Sequence, residues 1–166
     1  GCGNIAISIA LARPEATVYA TDISEAALAV AERNVLKRVQ LAYWTLLAGD
    51  LFEPLTGRDL EGRLDCIASN PPYVAESELS GLMPEVARYE PRVALVSDQD
   101  GMGHTLRILE AAPRFLRDGG ALVLEMSPFT AGRARAAAEA NDAYGKVRTK
   151  HDLGKVERVL MAEKRA

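Results

Sequence analysis

The chain has 166 residues, 48% of them hydrophobic and 26% charged, with a formal net charge of −3. This length suits one domain with a substantial core, and the charge excludes a global basic field that would attract nucleic acid, although a local basic patch stays open. Cys2 and Cys66 lack metal-ligand spacing and indicate either a reducing compartment or two small buried residues. With no signal-peptide or membrane-spanning pattern recognised, we expect a cytoplasmic protein.

Helices and strands alternate along the first half of the chain. Apolar residues at helical spacing and β-branched runs mark a helix, a strand, a second helix and a weaker strand. These are predicted at Ile5 to Ala12, Thr17 to Thr21, Ala26 to Leu36, and 43–48. Ser24 is the predicted N-cap of the second helix. The proline, glycine and charged residues of 53–63 predict a loop.

The second half continues the alternation and completes an α/β pattern. Strand, helix, strand, helix and two final strands are predicted at Leu64 to Ser69, His104 to Leu116, Ala121 to Met126, Thr130 to Ala140, 146–150 and 156–163. A turn is predicted at 118–120, and residues 74–103 form a segment too long for an idle connection. The pattern predicts a doubly wound, mostly parallel sheet with an antiparallel hairpin at one edge. Because the chain opens inside a strand-to-helix turn, we expect the first strand upstream of Gly1, and residues 1–166 as one N-terminally incomplete domain.

The stretch Asn70-Pro71-Pro72-Tyr73 directly follows the predicted strand that ends at Ser69. The asparagine offers an amide oxygen as acceptor, the prolines fix the backbone and so aim its carbonyls, and the tyrosine ring can cover a flat substrate face. A bare Asn-Pro-Pro is more often a turn, but its place after an apolar strand favours a site. We predict a grip for a planar –NH2 group, on an amide or on a base.

Glycines and acidic residues stand at the other predicted strand ends. Gly1-Cys2-Gly3 opens a helix, where glycine lets the backbone approach a ligand and the helix N-terminus accepts negative charge. Asp22 is placed to accept hydrogen bonds from ribose hydroxyls, with a helix cap as its alternative role. Asp50 is placed to accept one from an adenine amino group, and taken alone it is equally well explained as a turn residue next to Gly49. A dinucleotide site tolerates Ala6 at the third glycine place, but a dehydrogenase gives Asn70 no role. S-adenosylmethionine accounts for both halves.

These residues resemble the class I S-adenosylmethionine-dependent methyltransferases that modify planar nitrogens, and most of all the HemK-type release-factor glutamine methyltransferases. The similarity covers essentially the whole chain. It is carried by Gly3-Asn4-Ile5-Ala6, by Ser69 to Val74, by Arg88-Tyr89-Glu90-Pro91 with Ala94-Leu95 and Asp100-Gly101, and by Glu157-Arg158-Val159. The family's first strand and its small N-terminal helical domain would precede Gly1.

The resemblance implies that a methyl group passes from S-adenosylmethionine to the side-chain amide nitrogen of a glutamine in a class I peptide release factor, leaving S-adenosylhomocysteine. It implies a monomer without a metal. Asn70 would contact both cofactor and substrate, and Asn70 to Tyr73 would hold the glutamine. The implied cofactor-binding residues are Gly1, Cys2 and Gly3 by the methionine moiety, Asp22 by the ribose, Asp50 and Leu51 by the adenine, and in addition Ile23 and Asn70.

Other functions stay open at this point. A relative could methylate a ribosomal-protein glutamine, or adenine N6 in RNA or DNA, although the net charge of −3 disfavours nucleic acid as direct substrate. A binding module with a degenerate cofactor pocket is disfavoured because Asp22 and Asn70 are intact. Among the remaining polar residues, we expect an Arg–Glu pair to brace the loop around 88–91, His104 to start a helix, and Arg133 with Arg135 to form a solvated helix face.

Overall fold

The computed structural model describes residues 1–38 and 43–166, which form two compact units, Gly1–Asp59 and Leu60–Ala166. Each unit has helices and a sheet of its own. The prediction that residues 1–166 form one catalytic domain stays a prediction.

The first unit is built on a parallel strand pair flanked by helices. Its elements are α1 (Asn4–Ala12), β1 (Val18–Asp22), α2 (Glu25–Arg38), β2 (Trp44–Ala48) and a short 3-10 helix (Glu53–Leu55). The register sets Asp22 opposite Ala48, so β1 and β2 end at the same edge. The Ser24 hydroxyl accepts the Ala27 N–H at 3.2 Å, which confirms the predicted N-cap. The predicted helices and strands of this half are confirmed within two residues at their ends.

The second unit holds a mixed four-stranded sheet in the order β3-β4-β6-β5. Its strands are β3 (Leu64–Ser69), β4 (Leu116–Glu125), β5 (Tyr144–His151) and β6 (Glu157–Lys164). Its helical segments are a 3-10 helix (Glu76–Gly81), α3 (Pro84–Tyr89), α4 (Arg92–Leu95), α5 (Asp98–Gly101), α6 (Gly103–Phe115) and α7 (Ala131–Ala140). Of these, α5 is a kinked turn in which Gln99 and Asp100 have non-helical backbone. β3 and β4 are parallel, whereas β6 runs antiparallel to both β4 and β5. The predicted edge hairpin is therefore confirmed, with β5 on the outside.

Three sequence-based predictions need correction. The helix ends at Phe115, and β4 already begins at Leu116, because Leu116 pairs with Leu64 across the sheet. The residues predicted as a turn, 118–120, lie inside β4 as an irregularity, where Gly119 takes a φ of +72° and the register shifts. Cys2 and Cys66 are both exposed free thiols, so the expectation of small buried residues was wrong.

The core of the second unit lies around the two inner strands of its sheet. Leu122 and Leu124 on β4 and Leu160 on β6 are fully buried, as period-2 alternation requires of a half-covered strand. Ile108 of α6 and three alanines of α7, Ala131, Ala134 and Ala138, close the core. Because Leu122 and Leu124 bury the second half of β4, the position of its carboxyl end is well determined.

Tyr144 is the buried polar anchor of this core. It is 2% exposed, and its hydroxyl donates to the Leu109 carbonyl at 2.9 Å. The Asn141 side-chain amide donates to the same carbonyl at 3.2 Å. Burial raises the pKa of Tyr144 well above its ordinary value, so the folded protein holds the neutral phenol.

Tyr144→Phe keeps the ring and removes the donor, and we expect it to lower the free energy of unfolding by about 1 kcal/mol at pH 7. Since the pKa is raised on folding, the phenol's contribution is complete below about pH 10 and is lost as the pH rises toward the folded pKa. Urea unfolding at pH 7 and pH 11 measures both effects, with the exposed Tyr43→Phe as matched control. Equal stability of Tyr144→Phe and wild type at pH 7 would contradict the anchoring role.

Candidate active site

The glycine turn that opens the chain contains one position, residue 3, that favours glycine. Gly3 has a φ of +85°, and a Cβ placed there would lie 3.1 Å from the Cβ of Ala31 on α2. The Asn34 side chain donates to the Cys2 carbonyl at 3.0 Å and ties the turn to the same helix. Gly3 is the N-cap of α1 and provides no side-chain cap. The first amides of α1 can therefore receive an anionic group of a ligand.

Asp22 stands at the carboxyl end of β1, beside this turn. One carboxylate oxygen accepts the Ser24 N–H at 2.7 Å, and the other contacts the Gly1 nitrogen. Ser24 caps α2, so Asp22 is not the cap of that helix, the alternative role for an acid at this position. Its side chain is 20% exposed, so the carboxylate still reaches the surface as an acceptor.

The loop after β2 is held against the end of β1. The Gly49 N–H donates to the Asp22 carbonyl at 3.0 Å, and the Thr21 hydroxyl donates to the Leu51 carbonyl at 2.9 Å. Leu51 has a φ of +45°, a conformation that non-glycine residues take at a cost and that recurs at ligand sites. Ile23, the residue after Asp22, is 61% exposed. The predicted cofactor residues of the first unit thus lie along one edge: a helix N-terminus, two carboxylates and apolar side chains.

The segment Asn70 to Tyr73 leaves the end of β3 in the second unit. Ser69 pairs with Leu124, so Asn70 follows β3 where Glu125 ends β4. Asn70 is exposed and Pro71 is buried, an arrangement that presents the amide on an anchored backbone. These four residues belong to the second unit and the other predicted site residues to the first.

Tyr73 is tied to a residue that the sequence interpretation missed. Its hydroxyl donates to the Glu125 carboxylate at 3.4 Å. Burial, followed by the negative charge of Glu125, raises the pKa of Tyr73, so the hydroxyl stays protonated and acts as a donor. Glu125 could have been found from the sequence, because it ends a strand at the same edge as Asn70.

A second backbone segment lies against the Asn70 to Tyr73 stretch. The Val74 N–H donates to the Leu95 carbonyl, and the Ser97 N–H donates to the Val74 carbonyl, both at 2.9 Å. Gly101 has a φ of +80°, and a Cβ there would stand 2.4 Å from the Tyr73 carbonyl oxygen. The two backbones are therefore in direct contact, with no room for a side chain at residue 101.

The remaining polar residues give one confirmation and two corrections. His104 lies in the first turn of α6, with its N–H donating to the Ser97 hydroxyl at 3.0 Å, as expected of a helix-start residue. The ion pair in the loop segment joins Arg92 to Glu76, instead of bracing residues 88–91. Arg133 is not simply solvated, because its guanidinium donates to the Gln99 carbonyl at 3.0 Å.

Within residues 1–38 and 43–166, no helix is both long and apolar enough to cross a membrane. The same residues contain no group of three His, Cys, Asp or Glu side chains arranged to hold a metal.

Solved structures confirm the fold. A methyltransferase from Pyrococcus furiosus matches the whole chain with a TM-score of 0.68 at 19% identity, covering 72% of that protein. TrmN from Thermus thermophilus matches 99% of the chain with a TM-score of 0.66 at 23% identity, covering 41% of that protein. The predicted Rossmann-like methyltransferase fold is therefore confirmed.

Curated relatives confirm the resemblance to glutamine methyltransferases. The release factor glutamine methyltransferase of Rhodopirellula baltica is 40% identical over 99% of the chain and 54% of that protein. The one from Gloeobacter violaceus is 38% identical over 97% of the chain and 55% of that protein. The ribosomal protein uL3 glutamine methyltransferase of Bordetella pertussis is 44% identical over 76% of the chain and 41% of that protein. The chain spans about half the length of the curated release-factor relatives it matches.

A family model, the methyltransferase small domain, matches residues 1–86. That range contains the glycine turn, both strand-end carboxylates and the Asn70 to Tyr73 segment. Since it covers more than half of the chain, this protein belongs to the methyltransferase small domain family.

Proposed function

We propose that this chain carries the catalytic residues of an S-adenosylmethionine-dependent enzyme that methylates a glutamine side-chain amide in a class I peptide release factor. The main support is the position of the Asn70 to Tyr73 segment directly after the end of β3. The chain is also about 40% identical to a release factor glutamine methyltransferase over nearly its whole length. The proposal extends to a monomer acting in translation termination in the cytoplasm, with a protein and not a nucleic acid as the direct partner.

The residues of the first unit suit the methyl donor. Asp22 offers carboxylate oxygens to the ribose hydroxyls, and the first amides of α1 receive the methionine carboxylate. Ile23 and Leu51 present aliphatic surface to the adenine, and Asp50 accepts from its amino group. When bound, S-adenosylmethionine supplies an electrophilic methyl group on a sulfonium.

The residues of the second unit prepare the acceptor nitrogen. An amide nitrogen is a weak nucleophile because its lone pair is delocalised into the carbonyl. In the proposed mechanism the Asn70 side-chain oxygen accepts one N–H of the glutamine, and the Pro71 carbonyl accepts the other. Both acceptors become more favourable as positive charge grows on nitrogen, so they stabilise the transition state more than the ground state. The nitrogen releases a proton after transfer.

Tyr73 fixes the orientation of the amide. Its ring packs on the amide plane, and its hydroxyl is held by Glu125 at 3.4 Å. In-line transfer depends on the angle between the nitrogen lone pair and the departing methyl, so a fixed ring contributes through geometry.

A ribosomal-protein glutamine is the second candidate acceptor. The uL3 glutamine methyltransferase of Bordetella pertussis is 44% identical over 126 residues, 76% of the chain, whereas the release-factor relative of Rhodopirellula baltica is 40% identical over 99% of it. The same grip serves either protein, because both present a glutamine amide. An adenine amino group offers the same two hydrogens, but the net charge of −3 does not favour a nucleic-acid surface.

We expect the intact protein to transfer radiolabelled methyl to a release factor when release factor, ribosomal proteins and rRNA are offered side by side. Asn70→Ala should slow this transfer by at least about 100-fold, because it removes an acceptor used in the transition state. Its affinity for S-adenosylmethionine should stay within about threefold of wild type.

Label found only in RNA would refute the proposal, and label only in a ribosomal protein would favour the second candidate. A fall in cofactor affinity that matches the fall in rate would contradict the role of Asn70.

Asp22→Asn should weaken binding of S-adenosylmethionine by about 10-fold or more, because hydrogen bonds to a charged acceptor are worth about 1.5–3 kcal/mol. Calorimetric titration measures the dissociation constant. The matched control is Glu15→Gln, an exposed residue of the same unit with the same loss of charge. Equal affinities for the two variants would exclude Asp22 from the cofactor site.

Tyr73→Phe and Glu125→Ala should each lower kcat about fivefold, since each breaks the same hydrogen bond of about 1 kcal/mol. The double variant should be no slower than the slower single variant, and Glu125→Gln, which keeps an acceptor oxygen, should retain most activity. Initial-rate kinetics at saturating substrates test the cycle. Multiplicative effects of the two substitutions would show that the residues act independently.

A further inference from the structure

Three consecutive residues close to the Asn70 to Tyr73 segment have left-handed backbone. Gln99 and Asp100 both have a φ of +51°, and Gly101 follows with +80°. Glycine adopts this region freely, but two neighbouring L-residues do so only where surrounding contacts hold them. Residues 99–101, the left-handed turn, therefore depend on a restraint from outside.

Arg133, in the first turns of α7, provides that restraint. Its Nη2 donates to the Gln99 carbonyl at 3.0 Å and to the Asp100 carbonyl at 3.3 Å. These are the carbonyls of the two unfavourable residues. A planar guanidinium suits this task, since one nitrogen can serve two neighbouring acceptors from a fixed direction.

The left-handed turn limits the space available to the backbone at Tyr73 to Ala75. A Cβ at Gly101 would stand 2.4 Å from the Tyr73 carbonyl oxygen and 3.5 Å from the Ala75 nitrogen. Just before the turn, Ser97 donates to the Val74 carbonyl at 2.9 Å. A shift of the turn would reach Tyr73 directly, without any intervening side chain.

We propose that Arg133 is a positioning residue for methyl transfer, which holds the left-handed turn and thereby fixes the Tyr73 carbonyl and the Asn70 to Tyr73 segment. Its catalytic meaning rests on the proposed function, whereas its effect on the backbone does not. A displacement of reacting groups by a fraction of an ångström slows transfer, because orientation supplies much of the rate.

The same helix offers a matched control. Arg135 lies two residues further along α7. Its side chain is 53% exposed, and its guanidinium pairs with Glu139 at 3.7 Å as an i, i+4 surface pair. Such pairs contribute little to stability. Arg135→Ala removes the same charge and side-chain length as Arg133→Ala without touching the turn.

The experiment compares Arg133→Ala, Arg133→Lys and Arg135→Ala in the intact protein. We expect Arg133→Ala to speed hydrogen exchange of the Val74 and Ser97 amides by about tenfold and to lower kcat about tenfold, with KM for S-adenosylmethionine unchanged. Arg133→Lys should recover part of both effects, since an ammonium can still donate. Arg135→Ala should match wild type in exchange and kcat.

Unchanged exchange and kcat in Arg133→Ala would overturn the inference. Faster exchange spread evenly over residues 60–166 would also overturn it, because that pattern means general destabilisation and not a local restraint on the turn. If wild type transfers no methyl to any glutamine, the proposed function fails, and the local exchange difference still decides the backbone role of Arg133.

Discussion

The direct backbone contact between Gly101 and the Tyr73 carbonyl is the constraint on which the acceptor half of this site depends. It leaves no space for a side chain at residue 101. The contact also shows that the long segment after the motif folds back on it, because the backbone at residue 101 lies against the backbone at residue 73. Residues 74 and 96 pair as an isolated parallel bridge. This bridge holds the segment before residue 101 beside the chain that leaves β3. The grip is thus held through backbone on both sides.

Local patterns were sufficient wherever the determining contacts are near in sequence. The end of β3, the Ser24 cap and the β5–β6 hairpin depend on neighbouring residues, and each was predicted. Glu125 was missed, although polar residues at the carboxyl ends of parallel strands are known to converge. The sequence interpretation used that rule only for the first four strand ends.

Long-range contacts account for the features that sequence patterns did not reveal. The start of β4 depends on the pairing of Leu116 with Leu64, which overrides the turn signal of the two glycines that follow. Arg133 reads as a surface residue of an alanine-rich helix, and its acceptors lie 33 and 34 residues earlier in the chain. No periodicity marks such a partner, since it is defined only once α7 has packed against its sheet.

The strand order β3-β4-β6-β5 has a consequence for how this half of the protein is made. β6 is later in sequence than β5, yet it stands between β5 and β4. During synthesis β5 emerges first and has no place in the sheet until β6 follows it from the ribosome. The β3–β4 pair, which carries Asn70 and Glu125, meanwhile exposes the edge of β4 that β6 will cover. A translational pause that holds β6 inside the ribosome after β5 has emerged would therefore prolong an aggregation-prone state, whereas a pause after β6 has emerged would not.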